Sequence, residues 1–367
     1  MRDTSKPVKL DVLFNQMPDL GATDLHIKAG NPPMYRLSGD LHRAKVEPLT
    51  EKQIYSLVDE WLGREKVNQL YERGSLDIGH DFGRGRVRVN VFLQRGAISL
   101  AARLVCDKVP TIEALHLPPQ LARIVDFKQG LVVVCGITGC GKSTTLASII
   151  EMINQKYRYH ILTIEDPIEY LHRDAKSIVN QREMGMDCHN WADGLRAAVR
   201  EDPDVILVGE MRDHETFQAG LIAAETGHLV FGTLHTSSAA GTIGRILDLF
   251  PTEKHTLIRQ SLAFNLKCVL CQSLIPSFRP GISVVPVTEL MFVTPPIRKS
   301  IEDGEDSRIG DLIASGKEEG MLTWTQSYVE MINKNFIEKK VARQFAPNKD
   351  ALEMALKGID IAQRSFG

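Results

Sequence analysis

The chain has 367 residues, 43% of them apolar and 25% charged, with 44 Lys and Arg against 46 Asp and Glu for a formal net charge of -2. At roughly 100 to 200 residues per domain this length predicts two or three domains, and the ordinary apolar content excludes a wholly disordered chain. No stretch approaches the ~20 apolar residues of a membrane span, and the near-neutral balance exerts no global pull toward nucleic acid.

The N-terminus, MRDTSKPVKLDVLF, scatters charge where a secretory signal needs an apolar segment, so the chain is expected to stay in the cytoplasm. Six cysteines, at 106, 135, 140, 188, 268 and 271, are too sparse for a disulfide framework and fit a reducing compartment. Residues 10–105 mix short helices with alternating strands. A turn at Phe82-Gly83-Arg84-Gly85 is followed by Val87, Val89, Val91 and Leu93 on one face and Arg86, Arg88, Asn90 and Phe92 on the other. After a second turn at Gln94-Arg95-Gly96, Ile98, Leu100, Ala102 and Leu104 alternate with Ser99, Ala101, Arg103 and Val105. Period two predicts a half-buried sheet with Arg88 and Arg103 off its apolar face. Residues 106–119 carry three prolines and no periodicity, the composition of a linker.

From residue 121 onward, apolar runs at 131–134, 161–164, 205–208 and 229–231 alternate with helical stretches, the pattern of an α/β domain built on buried parallel strands. The stretch NLKCVLCQSLI reads as an apolar helix with Cys268 and Cys271 as core thiols, since a single CxxC lacks the second pair of a zinc site. Beyond residue 292 the chain is charged and helical, amphipathic at 323–332 and 350–356. The expected division is therefore 1–107, a linker at 108–119, a core at 120–292 and a helical region at 293–367.

Gly136-Ile137-Thr138-Gly139-Cys140-Gly141-Lys142-Ser143 satisfies GxxxxGK[ST] between an apolar strand and a helix. In that context the amides of residues Thr138, Gly139, Cys140, Gly141, Lys142, Ser143 and Thr144 can cradle phosphate oxygens. Lys142 meets the β/γ phosphates, and the Ser143 hydroxyl ligates Mg²⁺. Cys140 reads as a space-filler rather than a reactive thiol. A P-loop enzyme also needs an acid at a neighbouring strand end, and Glu210 stands just past the run 205–208. Gly209 occupies the place where many such proteins carry a metal-binding Asp, which makes Glu210 the candidate general base. Glu165, Asp166 and Glu169 crowd a second strand exit. His228 and His235 flank the run 229–231; a lone histidine is more often structural, but two flanking one strand beside a phosphate site raise the odds of γ-phosphate sensing.

The runs GITGCGKSTTLASII, ILTIEDPIEY, LRAAVREDPDVILVGEMRD and AAETGHLVFGTLHT resemble, in order and spacing, the Walker A, Asp box, Walker B and His box of the type II/type IV secretion ATPase superfamily. Within it the chain is most similar to PilT-type motors of type IV pili, a resemblance that also covers TDLHIKAG and GMLTWTQS. It implies an N-terminal PAS-like α+β domain, a RecA-like ATPase domain with C-terminal helices, and a homo-hexameric ring at the inner face of the cytoplasmic membrane. ATP and Mg²⁺ are the implied cofactors, and an inner-membrane pilus platform protein and other pilus motor ATPases the implied partners. It also implies roles: Glu210 as catalytic base, Glu165 and Glu169 around Mg²⁺ and water, His228 and His235 as sensors, Arg88 and Arg103 on the γ-phosphate. Assembly-type relatives carry a longer N-terminal region and a four-cysteine zinc site, so the short chain fits the retraction branch. The AIRNLIRE segment of that branch is present only as Pro296-Ile297-Arg298-Lys299-Ser300-Ile301-Glu302-Asp303, with three of eight letters kept. The alternatives are a pilus-assembly or type II secretion ATPase of the same superfamily and a RecA-like nucleic-acid translocase. The last would need a basic, aromatic-studded channel, which 6% aromatic content does not supply.

Overall fold

The computed structural model describes residues 9–106 and 108–358. They divide into two compact units, one ending near Lys108 and joined by residues 167–171, the other comprising the rest.

In the first unit, β1 (Ala22–Ile27), β2 (Met34–Leu37), β3 (Asp40–Arg43), β4 (Ser75–Asp81), β5 (Arg86–Gln94) and β6 (Ala97–Leu104) form a sheet in the order β3-β2-β1-β6-β5-β4. Every pairing is antiparallel. Val87, Val89 and Val91 of β5 and Leu100 and Ala102 of β6 form one core with Phe14, Met17, Ile54, Val58, Val67 and Leu70 from the helices Leu10–Leu20, Glu51–Leu62 and Arg64–Arg73. Period-two alternation therefore commits one face of the hairpin to the helices, each fully buried valine or leucine contributing about 1.5–3 kcal/mol. Arg88 and Arg103 stand on the other face, directly opposite one another across β5 and β6.

The second unit holds β7 (Gly130–Cys135), β8 (His160–Glu165), β9 (Ile178–Glu183), β10 (Val205–Val208), β11 (Leu229–Leu234), β12 (Leu266–Pro276) and β13 (Val284–Phe292), in the order β13-β12-β7-β11-β10-β8-β9. All neighbours are parallel except β12 and β13. Every residue of β7, β10 and β11 is buried, the signature of strands covered on both faces.

NLKCVLCQSLI is not a helix. The helix His255–Asn265 stops where the stretch begins, and β12 pairs Cys271 with Cys135 and Cys268 with Val132. A short apolar run such as Cys268 to Cys271 has no periodicity by which to tell a buried strand from a helix. On a strand, positions i and i+3 point to opposite faces, so the two thiols cannot share a ligand. Ile112 and Leu117, in the stretch read as linker, are buried in the core of the second unit. The helices after Phe292 belong to that unit too: Tyr328, Met331, Ala342 and Leu352 pack with Ile275, Val285 and Val287 of β12 and β13. Among the described residues no helix is long and apolar enough to cross a membrane.

Candidate active site

Parallel strands bring their C-terminal ends to one edge, where loops are free to carry polar groups. Four adjacent strands in the order β7, β11, β10, β8 deliver there the phosphate loop, His235, Glu210 and Glu165. The loop turns through positive φ at Gly136, Gly139 and Gly141 and leads into the helix Lys142–Lys156, whose first turn has no side-chain cap. An uncapped N-terminus is the condition in which backbone N–H groups remain available to an anion. The Lys142 ammonium folds back over the loop, donating to Gly136 O at 2.8 Å and Ile137 O at 3.2 Å. Thr138, Gly139 and Ser143 are exposed, whereas Cys140 is buried. Burial pushes the Cys140 thiol pKa up despite the nearby Lys142 charge, which suits a packing role. The residues present therefore fit a nucleotide phosphate and its metal.

Glu210 accepts a hydrogen bond from His235 Nε2 at 2.9 Å and is ion-paired with Arg212. That pairing, a hydrogen bond reinforced by the opposite charge, raises the Arg212 pKa. The backbone beneath is fixed by Thr233 Oγ1 donating to Gly209 O at 2.6 Å and by Gly209 N–H donating to Ile164 O at 2.8 Å. A Cβ at residue 209 would stand 3.2 Å from Trp191 and 3.3 Å from the Ile164 carbonyl, so the crowding of two strand exits accounts for glycine where a metal-binding Asp is common. Glu165 accepts from Thr163 Oγ1 at 2.7 Å and Gln181 Nε2 at 3.0 Å. Beside the loop a cavity of about 380 Å³ is lined by Leu115, His116, Gly141, Thr144, Leu274 and Ile282, room for a nucleoside. A larger groove between Leu195 and Ile222, about 580 Å³, is lined by none of the candidate catalytic or phosphate-binding residues.

His228 does not join His235. It precedes Leu229, which pairs with Gly130 at the start of β7, whereas His235 follows Leu234, which pairs with Cys135 at its end. Six strand residues rise about 20 Å, so His228 lies at the opposite edge of the sheet from the phosphate loop. There its Nδ1 is within 2.9 Å of Ala223 O, closing the turn into β11. Flanking a strand on the sequence places two residues at its two ends, not on one side. Glu169 is exposed and lies in the 167–171 segment that groups with the first unit.

In the first unit, Arg103 Nε donates to Asp24 at 2.8 Å, Arg36 approaches the same carboxylate at 3.7 Å, and Arg88 lies 3.7 Å from Asp77. Register explains the cluster, since Arg36, Asp24, Arg103 and Arg88 are successive cross-strand partners on β2, β1, β6 and β5. The Arg103 side chain remains 75% exposed. Sequence reasoning missed Asp24, Arg212 and the buried Gln272 of β12. The D in TDLHI and the RD after Glu210 were visible, but their partners are set by strand register.

The model of the type II/IV secretion system protein family matches residues 111–302. The type IV pilus retraction ATPase PilT of Pseudomonas aeruginosa is 42% identical over 89% of this chain and 94% of its own length. A twitching motility protein of Neisseria gonorrhoeae is 37% identical over 87% of this chain and 86% of its own. Among solved structures, the pilus retraction motor PilT with bound ADP superposes with a TM-score of 0.85 at 40% identity, covering 94% of this chain and 99% of that one.

Proposed function

The chain belongs to the type II/IV secretion system protein family of ATPases, and from that premise we propose that it is a motor that hydrolyses ATP to retract type IV pili in twitching motility. The observation that carries this reading is likeness to PilT-type proteins along nearly the whole length, in sequence and in fold, rather than at the P-loop alone. The working form is a homo-hexameric ring at the cytoplasmic face of the membrane, acting on an inner-membrane platform protein, with other pilus motor ATPases as further partners.

Backbone N–H groups from Thr138 to Thr144 and the Lys142 ammonium hold the β- and γ-phosphates. Ser143, and Glu169 through a water, would hold Mg²⁺, which would supply positive charge to offset that of the phosphates. Glu210 takes the proton of the attacking water; His235 and Arg212 both meet its Oε1. His235, bonded to the same carboxylate, orients it. Glu165, fixed by Thr163 and Gln181, adds a second acidic group at the water. Arg88 and Arg103 stabilise charge on the transferring phosphoryl, Arg103 meeting Asp24 through Nε on a side chain that is otherwise largely exposed. That role makes turnover depend on both units.

A clean deletion scored for pili per cell tests the direction of work. Excess pili mean that retraction has been lost; bald cells mean assembly, and would overturn the reading.

A further inference from the structure

Beneath the phosphate loop lies a buried amide that belongs to none of the motifs. Gln272, on β12, is 5% exposed. Its Nε2 donates to Cys140 O at 2.7 Å, and its Oε1 accepts from the Thr145 hydroxyl at 2.8 Å. One planar group thus grips the chain on both sides of the Gly141-Lys142-Ser143 turn. The register accounts for the reach: Cys271 pairs with Cys135 at the last position of β7, so the next residue of β12 lies level with the start of the loop. A Cβ on Gly141 would come within 2.8 Å of Nε2, so the glycine and the amide are fitted to each other.

A buried glutamine must satisfy its hydrogen bonds somewhere, and an ordinary core residue does so on neighbouring strands. Here both ends are given to the phosphate loop and its helix. The consequence follows from peptide geometry. The carbonyl of Cys140 and the N–H of Gly141 belong to one planar trans unit and point in opposite directions. Drawing the carbonyl down toward β12 therefore turns the Gly141 N–H up toward the mouth of the loop, where a phosphate oxygen would sit.

We propose that Gln272 is a positioning residue for nucleotide binding, fixing through the Cys140 carbonyl the orientation of the peptide that presents the Gly141 amide to phosphate. The inference rests on the nucleotide-binding reading of the loop and deepens it. It separates binding from chemistry, because Gln272 touches neither Glu210 nor the strand exits that carry the water.

The test is the affinity of the full-length protein for a fluorescent ADP analogue, with steady-state ATP hydrolysis beside it. Gln272→Met preserves volume and removes both hydrogen bonds; Gln272→Glu keeps the acceptor for Thr145 but loses the donor for Cys140. Each should weaken ADP about tenfold and raise KM for ATP in parallel, with kcat within about threefold of wild type. The unfolding temperature without nucleotide should stay within a few degrees, while its rise on adding ADP shrinks. Wild-type ADP affinity in a folded Gln272→Met, or a fall in kcat with KM unchanged, would overturn the proposal. Should the Met variant fail to fold, the Glu variant decides by the same readings. A wild-type chain that binds no ADP would bring down the nucleotide reading itself, a failure distinct from this one.

Discussion

The two units keep their polar residues in opposite places. On the antiparallel sheet, Asp24, Arg36, Arg88 and Arg103 stand within strands, on the face away from the core. On the parallel sheet every position of β7, β10 and β11 is buried, and the lysine, histidine and glutamates with chemical potential stand at strand exits. The difference is one of covering. A sheet packed on both faces has only its ends for chemistry, whereas a sheet packed on one face can carry charge along its length. In the second unit, position along a strand separates the candidate site residues from packing; in the first, position says only which residues are not core.

If strand exits hold the chemistry, replacing groups there should cost the most. Glu210→Gln keeps the hydrogen bond from His235 and cannot accept a proton, so hydrolysis should fall by about 10² to 10⁴ with ADP affinity close to wild type. Loss of ADP binding in that variant would assign Glu210 to folding or metal binding instead. Lys142→Ala removes the ammonium folded over the loop and should lower turnover by about 10² to 10³ while weakening ADP as well. Phosphate release at the wild-type rate by that protein would sink the phosphate-loop assignment.

Those two residues were readable because their surroundings are local: a glycine loop after an apolar run, an acid one step past another. The parallel strands were readable for the same reason, as continuous apolar runs between helices. What escaped depends on contacts far apart in the chain. β12 looked helical because a buried run such as CVL carries no period, and only its pairing with β7 and β13 makes it a strand. His228 looked like a partner of His235 because distance along a strand is hidden when residues are merely counted as flanking it. Gln272 acts 132 residues from its acceptor, and Asp24 meets Arg103 across 79. In the first unit alternation marked Arg88 and Arg103 as off the core, yet an exposed arginine is usually only solvated, and the resemblance supplied their role.

The smallest expected effect sharpens the other side of the comparison. Burial alone would raise the Asp24 pKa, but hydrogen bonds from Arg103 and Thr23 and the nearby positive charge hold it below the ordinary carboxylate value. With the folded value depressed, the stabilisation is complete above the unfolded value of about 3.9 and is lost as pH falls through the folded one. Asp24→Asn should therefore destabilise the first unit by about 1 kcal/mol at neutral pH, the exposed guanidinium of Arg103 being screened. In chemical denaturation the difference from wild type should shrink below about pH 4. A difference that persists unchanged to pH 3 would exclude the ion pair as its source.

The most direct test of the division between the units is the Arg88→Ala, Arg103→Ala double variant, assayed for ADP affinity and ATP turnover on the same preparation. On the roles proposed for these arginines, ADP affinity should stay within about twofold of wild type. Turnover should fall by at least 10², toward the ~10³ to 10⁵ that arginine contacts can supply to phosphoryl transfer. Unchanged turnover, or a loss of ADP affinity as large as the loss of rate, would contradict it.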